Sequence, residues 1–265
     1  MNHLDFIREN FIAKAAYFAS LAPGMSVLET SQFSRIDSGL PSDTFNVSVL
    51  RETSPEAIST LLKPAVGFFS DQKFPMALWV FESSNYMQIT QELAAHGLPE
   101  GEINVAMYAD LQQLTPDIAD IPGFKIKLVT APGELGAFAN VLAELFEPLD
   151  EARQVRKYYE MIEPFYKGGD SQLQFYIGAH NQAVVSTGAL FFNADSVGIY
   201  DIATRADQRG QGFGTFMFHW LVNEAKRQGA KQAVLQASPD GLGIYKRAGF
   251  REVGTVGVFE NRHLL

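Results

Sequence analysis

The stretch "RADQRGQGFGT" (205–215) decides how the chain reads. Arg209 is followed by glycines at 210, 212 and 214, and an apolar run then begins. "VGIYDIAT" (197–204) before it alternates like a strand, and the residues after it read as a helix to about Gln228. Glycine admits positive φ and lets backbone approach a ligand closely. The first turn of a helix carries unpaired N–H groups and a partial positive charge. Together these suit a phosphate or pyrophosphate. A tight strand-to-helix turn with no ligand is the competing reading. The glycine spacing fits neither the dinucleotide fingerprint nor the Walker loop, which ends in Gly-Lys-Ser/Thr.

Upstream of the loop, the pair of strands 173–180 and 182–192 is joined by a hairpin-like turn. Before them come a strand at 124–130 and helical stretches at 132–147 and 150–166. Downstream lie the strand "KQAVLQAS" (231–238), the short helix "GLGIYKRAG" (241–249) and a last strand at 250–260. The first 115 or so residues begin with a helix at 4–21 whose face is Phe6, Phe11, Ala15 and Phe18. The segment 22–43, rich in Gly, Ser and Pro, reads as loop. A β-α-β-α-β order follows: strands at 44–50, 75–82 and 103–111 enclose a helix opened by Ser54 and Pro55 and another at 85–97 closed by Gly97. Pro64 is expected to end or kink the first of these helices. "TPDIADIPG" (115–123) marks a domain boundary, which divides the chain into 1–118 and 119–265.

Composition narrows the function. The chain has 265 residues, 46% of them hydrophobic, which fits a soluble globular protein. It has no cysteine, so disulfides, thiolate metal sites and cysteine nucleophiles are excluded. The five histidines show no ligand spacing, so no metal is expected. A net charge of −9 argues against nucleic acid and is compatible with a cationic amine. No apolar run reaches the ~20 residues of a membrane span and no secretory leader is evident, so a cytoplasmic location is the default.

Arg209-x-x-Gly212-x-Gly214 resembles the Arg/Gln-x-x-Gly-x-Gly/Ala signature of the GNAT superfamily, the acyl-CoA-dependent N-acyltransferases. Tyr245-x-x-x-Gly249-Phe250 resembles the motif of its last third, and the order of elements over about 124–260 is similar too. The N-terminal half looks like the degenerate copy that precedes a complete GNAT domain in some members. The resemblance implies a tandem α/β (α+β) fold, with a mixed, mostly antiparallel sheet flanked by helices.

It also implies roles. The N–H groups of Gln211, Gly212, Phe213, Gly214 and Thr215 would hold the pyrophosphate of acetyl-CoA, with Arg209 and Gly210 shaping the entry. Ile202, Ala203 and Thr204 would pair with the pantetheine arm in a slot opened where their strand splays from 231–238. Tyr245 would protonate the departing thiolate, and Ser238 would contact the pantetheine or assist. Asp201 is a candidate base or ammonium contact, or simply solvent-facing, and Glu260 is a weaker candidate for the base. Tyr158, Tyr159, Phe165 and Tyr166 line the acceptor pocket or serve as core. The leading expectation is therefore acetyl transfer to a primary amine, a small molecule or a peptide, by direct attack in a ternary complex. A non-catalytic acyl-CoA-binding sensor or scaffold is the alternative, and the chain is expected to be a monomer or homodimer.

Overall fold

The computed structural model describes residues 2–82, 84–116, 120–194 and 196–265, the side chain of Pro55 excepted. The boundary expected at 118/119 lies outside the described residues. In order, the elements are α1 (His3–Ala19), β1 (Ser26–Glu29), β2 (Phe33–Asp37), β3 (Val47–Leu50), α2 (Pro55–Leu62), α3 (Phe68–Asp71), β4 (Ala77–Glu82), α4 (Tyr86–Ala95), β5 (Glu100–Asp110), β6 (Phe124–Leu128), α5 (Glu134–Ala143), α6 (Glu151–Ile162), β7 (Leu173–His180), β8 (Ala183–Asn193), β9 (Ser196–Thr204), α7 (Phe213–Arg227), β10 (Gln232–Ala237), α8 (Pro239–Arg247) and β11 (Arg251–Glu260). They fall into two compact units. The first holds Met1–Met107, Gln236–Leu242 and Glu252–Leu265, and the second Tyr108–Leu235 and Gly243–Arg251.

The first unit has the strand order β1-β2-β3-β4-β11-β5. β1, β2 and β3 are antiparallel, β3 and β4 are parallel, and β11 runs antiparallel to β4. Leu78 and Val80 of β4 point to one face, where Ile58, Leu61, Phe69, Ile89 and Leu93 from α2, α3 and α4 cover them. Trp79 and Phe81 point to the other, as the two-residue period of a strand requires. There Phe11 of α1 packs with ring centroids 4.4 and 5.8 Å away.

Two expectations are corrected here, and a third, Ser54 at the N-cap of α2, is met. Residues 22–43 contain β1 and β2, short strands whose alternation is broken by Ser, Arg and Asp. In α1 the buried stripe is Leu4, Ile7, Phe11 and Phe18, while Phe6 and Ala15 are half-buried. Ser54 stands at the N-cap of α2 without a side-chain capping bond. Its own N–H instead donates to the Glu52 carboxylate at 3.0 Å. Pro64 acts as expected. It lies in a π-type turn, Lys63–Gly67, between α2 and α3, where its missing N–H breaks the regular ladder.

The second unit repeats the scheme with the order β10-β9-β8-β7-β6. β6 to β9 are antiparallel, and β9 and β10 are parallel. Phe175 and Gly178, three apart on β7, face opposite sides. Phe138 of α5 and Tyr159 of α6 stack on Phe175 with centroids at 4.8 and 5.5 Å. Met217 of α7 lies over Gly178 on the other side. At the start of α7, Phe213 and Phe216 pack against Phe124, Val185 and Ile121. Each unit is thus a mixed, mainly antiparallel sheet with helices on both faces, and each places one parallel pair beside a run of antiparallel strands, three in the first unit and four in the second.

Candidate functional site

β9 passes into the glycine loop, and the loop's backbone follows from its composition. Gly210 and Gly212 have φ of 77° and 87°, a region that side chains disfavour. Gly214 eases the packing, because a Cβ there would press on Thr204 Oγ1 at 3.1 Å. Gly212 is the N-cap of α7 and provides no side-chain cap. The first intrahelical bond runs from Phe216 N to Gly212 O, 2.9 Å. The N–H groups of Phe213, Gly214 and Thr215 therefore open the helix with no acceptor among the described residues. Arg209 is exposed, and its Nε reaches back to Thr204 O at 3.3 Å, bracing the loop's entry.

The strands separate below this loop. The parallel register of β9 with β10 covers Ser196–Gln232, Val197–Ala233 and Gly198–Val234 and, among the described residues, goes no further. β9 continues for six residues, through Ile202, Ala203 and Thr204. On its other edge β9 carries a bulge. Thr187 pairs with Ala203 and Ala189 with Tyr200, so Gly188 alone opposes both Asp201 and Ile202. Asp201 has φ 54°, a left-handed conformation for a non-glycine residue. Bulges re-aim a side chain, and here the one re-aimed is a carboxylate.

Asp201 is half-buried, and its charge acts on α6. Burial first, and then the Asp201 carboxylate, push the phenols of Tyr158 and Tyr159 above their ordinary range. Tyr159 is core, stacked on Phe138 and Phe175. Tyr166 is structural too. Its hydroxyl donates to Val129 O at 3.0 Å and accepts from Phe175 N at 3.2 Å. Phe165 is half-buried. Tyr158, half-buried at the edge of Tyr159, is the aromatic residue of this group that meets Asp201 from a less enclosed position.

Tyr245 lies on α8 with its ring edge-on to Phe218 of α7, centroids 4.8 Å apart. Burial pushes its phenol up to about 12, so it is a neutral donor at pH 7. Its hydroxyl has no hydrogen-bond partner among the described residues. Phe250 packs on the same Phe218 at 5.4 Å, and its N–H returns to Tyr245 O at 3.0 Å. That is the local reason for the Tyr-x-x-x-Gly-Phe spacing: Gly249, at φ 99°, turns the chain back under the helix.

Two expected residues are grouped elsewhere. Ser238 precedes α8, and its carbonyl accepts from Gly241 and Leu242. Glu260, on β11, is half-buried and 3.9 Å from Arg262. Both belong to the first compact unit, whereas Asp201, the glycine loop and Tyr245 belong to the second. The bulge at Asp201 and its contact from Thr187 were not foreseen in the sequence. The signal was the acid in β9 and the glycine in β8. Among the described residues no group of three or more His, Asp or Glu is placed to hold a metal ion, and no helix is long and apolar enough to cross a membrane.

Comparison with known proteins agrees with this geometry. Residues 138–250 match the sequence model of the Acetyltransferase (GNAT) family, so the chain contains a domain of that family. No curated protein matches the chain. Among solved structures, a GCN5-related N-acetyltransferase from Kribbella flavida is similar over 95% of this chain and 94% of its own, at 15% identity and a TM-score of 0.69. A tandem GNAT protein from the clavulanic acid biosynthesis pathway is similar over 97% and 94%, at 11% identity and TM-score 0.60. A GCN5-related N-acetyltransferase from Sphaerobacter thermophilus is similar over 88% and 81%, at 13% identity and TM-score 0.57. At these identities the likeness is one of fold, and that fold is the tandem GNAT architecture.

Proposed function

We propose that the protein transfers an acetyl group from acetyl-CoA to a primary amine within a ternary complex. The observation that carries this reading is the open first turn of α7 at the end of β9, where β9 no longer pairs with β10. The residues fit the co-substrate. Gln211, Gly212, Phe213, Gly214 and Thr215 offer donors and a helix dipole to its pyrophosphate. Ile202, Ala203 and Thr204 offer strand backbone to its amide-bearing arm. Ser238 is the candidate for a further contact to that arm.

The acceptor nitrogen must be neutral to attack the thioester carbon. Asp201 takes its proton directly or through water, or first holds the ammonium. The C–N bond forms, the C–S bond breaks, and the thiolate takes a proton from Tyr245. The 119–265 half is the catalytic one in this reading, and 1–118 the supporting one. The helix that follows β3 in the first unit has Glu52, rather than glycines, at its start, which favours a supporting role.

Calorimetric titration with acetyl-CoA, and separately with NADH and ATP, tests the proposal. Micromolar binding of acetyl-CoA alone, followed by thiol release with an amine, is expected. Absence of acetyl-CoA binding would reduce the loop to a turn.

A further inference from the structure

The two flanks of α6 carry different chemistry. On one, Tyr159 packs on Phe138 of α5 with centroids 5.3 Å apart, and Arg156 Nε donates to Asn140 Oδ1 of the same helix at 3.0 Å. This flank is turned to α5. At about 3.6 residues per turn, Glu151, Gln154 and Tyr158 fall together on the other. Glu151 and Gln154 are buried and Tyr158 is half-buried. A buried helix face is ordinarily apolar, and this one carries an acid, an amide and a phenol.

Gln154 is 2% exposed. Its Nε2 donates to Asp150 Oδ2 at 2.9 Å. The Arg153 guanidinium first, and then the Gln154 amide, lower the Asp150 carboxyl, so at pH 7 it is ionised and only accepts. That bond fixes which end of the amide is which. Gln154 Oε1 is then a buried acceptor with no hydrogen-bond partner among the described residues. An acceptor stranded in this way costs about 1–3 kcal/mol, and a leucine would fill the position without that cost. A ligand that brings an N–H to the oxygen offsets it.

The same flank leads to Asp201. Tyr158 stands one turn beyond Gln154, about 6 Å along the axis. Its ring is edge-on to Tyr159, centroids 5.5 Å apart, and Tyr159 lies 5.5 Å from Phe175 of β7. Phe175 pairs with Ala189 and Ala189 with Tyr200, the neighbour of Asp201, so one row of the sheet joins the aromatic pair to the bulge. The Asp201 carboxylate in turn acts on the Tyr158 phenol.

We propose that Gln154 sets the acceptor class of this site: an aliphatic diamine, one nitrogen of which is acetylated beside Asp201 while the other, an ammonium, donates to Gln154 Oε1. This rests on the acetyl-transfer reading. The Tyr158 ring stands between the two positions, where it covers the methylene chain and favours a cation over its face. Glu151, three residues before Gln154 on the same flank, adds an acidic group near the second charge. A monoamine with the same carbon chain leaves the Gln154 oxygen without its bond.

Steady-state acetylation of 1,4-diaminobutane and of butylamine, with acetyl-CoA saturating, tests the assignment on the wild type, Gln154→Leu and Gln154→Glu. The wild type should favour the diamine by at least about tenfold in kcat/KM, through KM rather than kcat, the weight of one hydrogen bond to a charged group. Gln154→Leu should abolish that preference, and Gln154→Glu, which keeps an acceptor, should retain it. Equal use of the two amines by the wild type, or a leucine variant that keeps the preference, overturns the proposal. Calorimetry separates it from the wider reading. Acetyl-CoA binding by all three proteins shows that they are folded; if it binds and neither amine is acetylated, the diamine assignment falls while the co-substrate stands. If acetyl-CoA does not bind the wild type, the acetyl-transfer reading fails, and direct titration with 1,4-diaminobutane still decides the role of Gln154. Binding by the wild type that the leucine variant loses upholds that role, and no such difference overturns it.

Discussion

The Thr187 hydroxyl donates a hydrogen bond of 2.9 Å to the carbonyl of Asp201 and so ties down the bulge that aims the Asp201 carboxylate. Thr187 is fully buried and Asp201 half-buried, so the bond is partly shielded from water. Thr187→Val keeps the shape and removes the donor. We expect a stability loss of about 1 kcal/mol. We also expect kcat/KM to fall roughly tenfold, as for a small misplacement of a reacting group. Thr187→Ser should behave like the wild type. Equal kinetics for the valine and serine variants would separate the bulge from the chemistry.

Gly212→Val should abolish acetyl-CoA binding. The residue sits at φ 87°, and β-branched side chains are strained there by roughly 1–3 kcal/mol, so the loop would move. Gly214→Ala is the milder companion, since its Cβ would press on a single hydroxyl oxygen. Titration with acetyl-CoA should rank affinity as wild type, then the Gly214 variant, then the Gly212 variant. The reverse order between the two variants contradicts the loop geometry.

Tyr245→Phe should lower kcat by about 10- to 100-fold and leave acetyl-CoA affinity nearly unchanged, the range for loss of one general acid. The phenol's raised value, about 12, also bears on stability. A raised folded value means the contribution is complete below the unfolded value near 10 and is lost as pH rises through about 12. Denaturation curves between pH 9 and 12 should fall more steeply for the wild type than for the phenylalanine variant.

Glu134 opens α5, accepting from Lys127 Nζ at 2.5 Å and from the N–H groups of Thr130 and Ala131. The Lys127 bond first, and then these N–H groups, lower its carboxyl from 4.5 to about 2. The sign is opposite to that of Tyr245: the contribution is present above 4.5 and lost as pH falls through about 2. Glu134→Gln should flatten the acid limb of thermal stability in that window. The effect is modest because the Lys127 end of the pair is exposed.

Asn261, just past β11, is fully buried. Its Oδ1 accepts from Met76 N at 2.8 Å, and its Nδ2 donates to Phe74 O at 3.0 Å. Asn261→Ala strands both backbone groups, and we expect about 2–4 kcal/mol of destabilisation in urea, from two unmade buried bonds. Asn261→Asp should be nearly as costly, because it loses the donor to Phe74.

The glycine loop, α7, β10, α8 and the aromatic motif were legible because each depends on local chain chemistry: positive φ, an open helix end, a two-residue or 3.6-residue period. β1 and β2 were not legible. Their residues Ser26, Arg35 and Asp37 carry too little apolar alternation, and pairing across the sheet, not propensity, makes them strands. The bulge at Asp201 depends on which residue faces Gly188, a relation between strands that no single segment encodes. The division of Tyr158, Tyr159 and Tyr166 between half-buried and core positions likewise depends on Phe138 and Phe175, which lie elsewhere in the sequence.

β11 stands between β4 and β5 in the first unit, although in the sequence it follows the whole of the second unit. During translation the N-terminal residues emerge without the strand that completes their sheet. They must wait for the whole of the second unit's sequence, a delay on the order of ten seconds at roughly 5–20 residues per second. For that interval β4 and β5 each present an unpaired edge, the kind of surface that chaperones hold and that otherwise aggregates. A nascent chain stalled before residue 252 should therefore be protease-sensitive in its N-terminal half, and one stalled with residue 265 clear of the ribosome should be resistant.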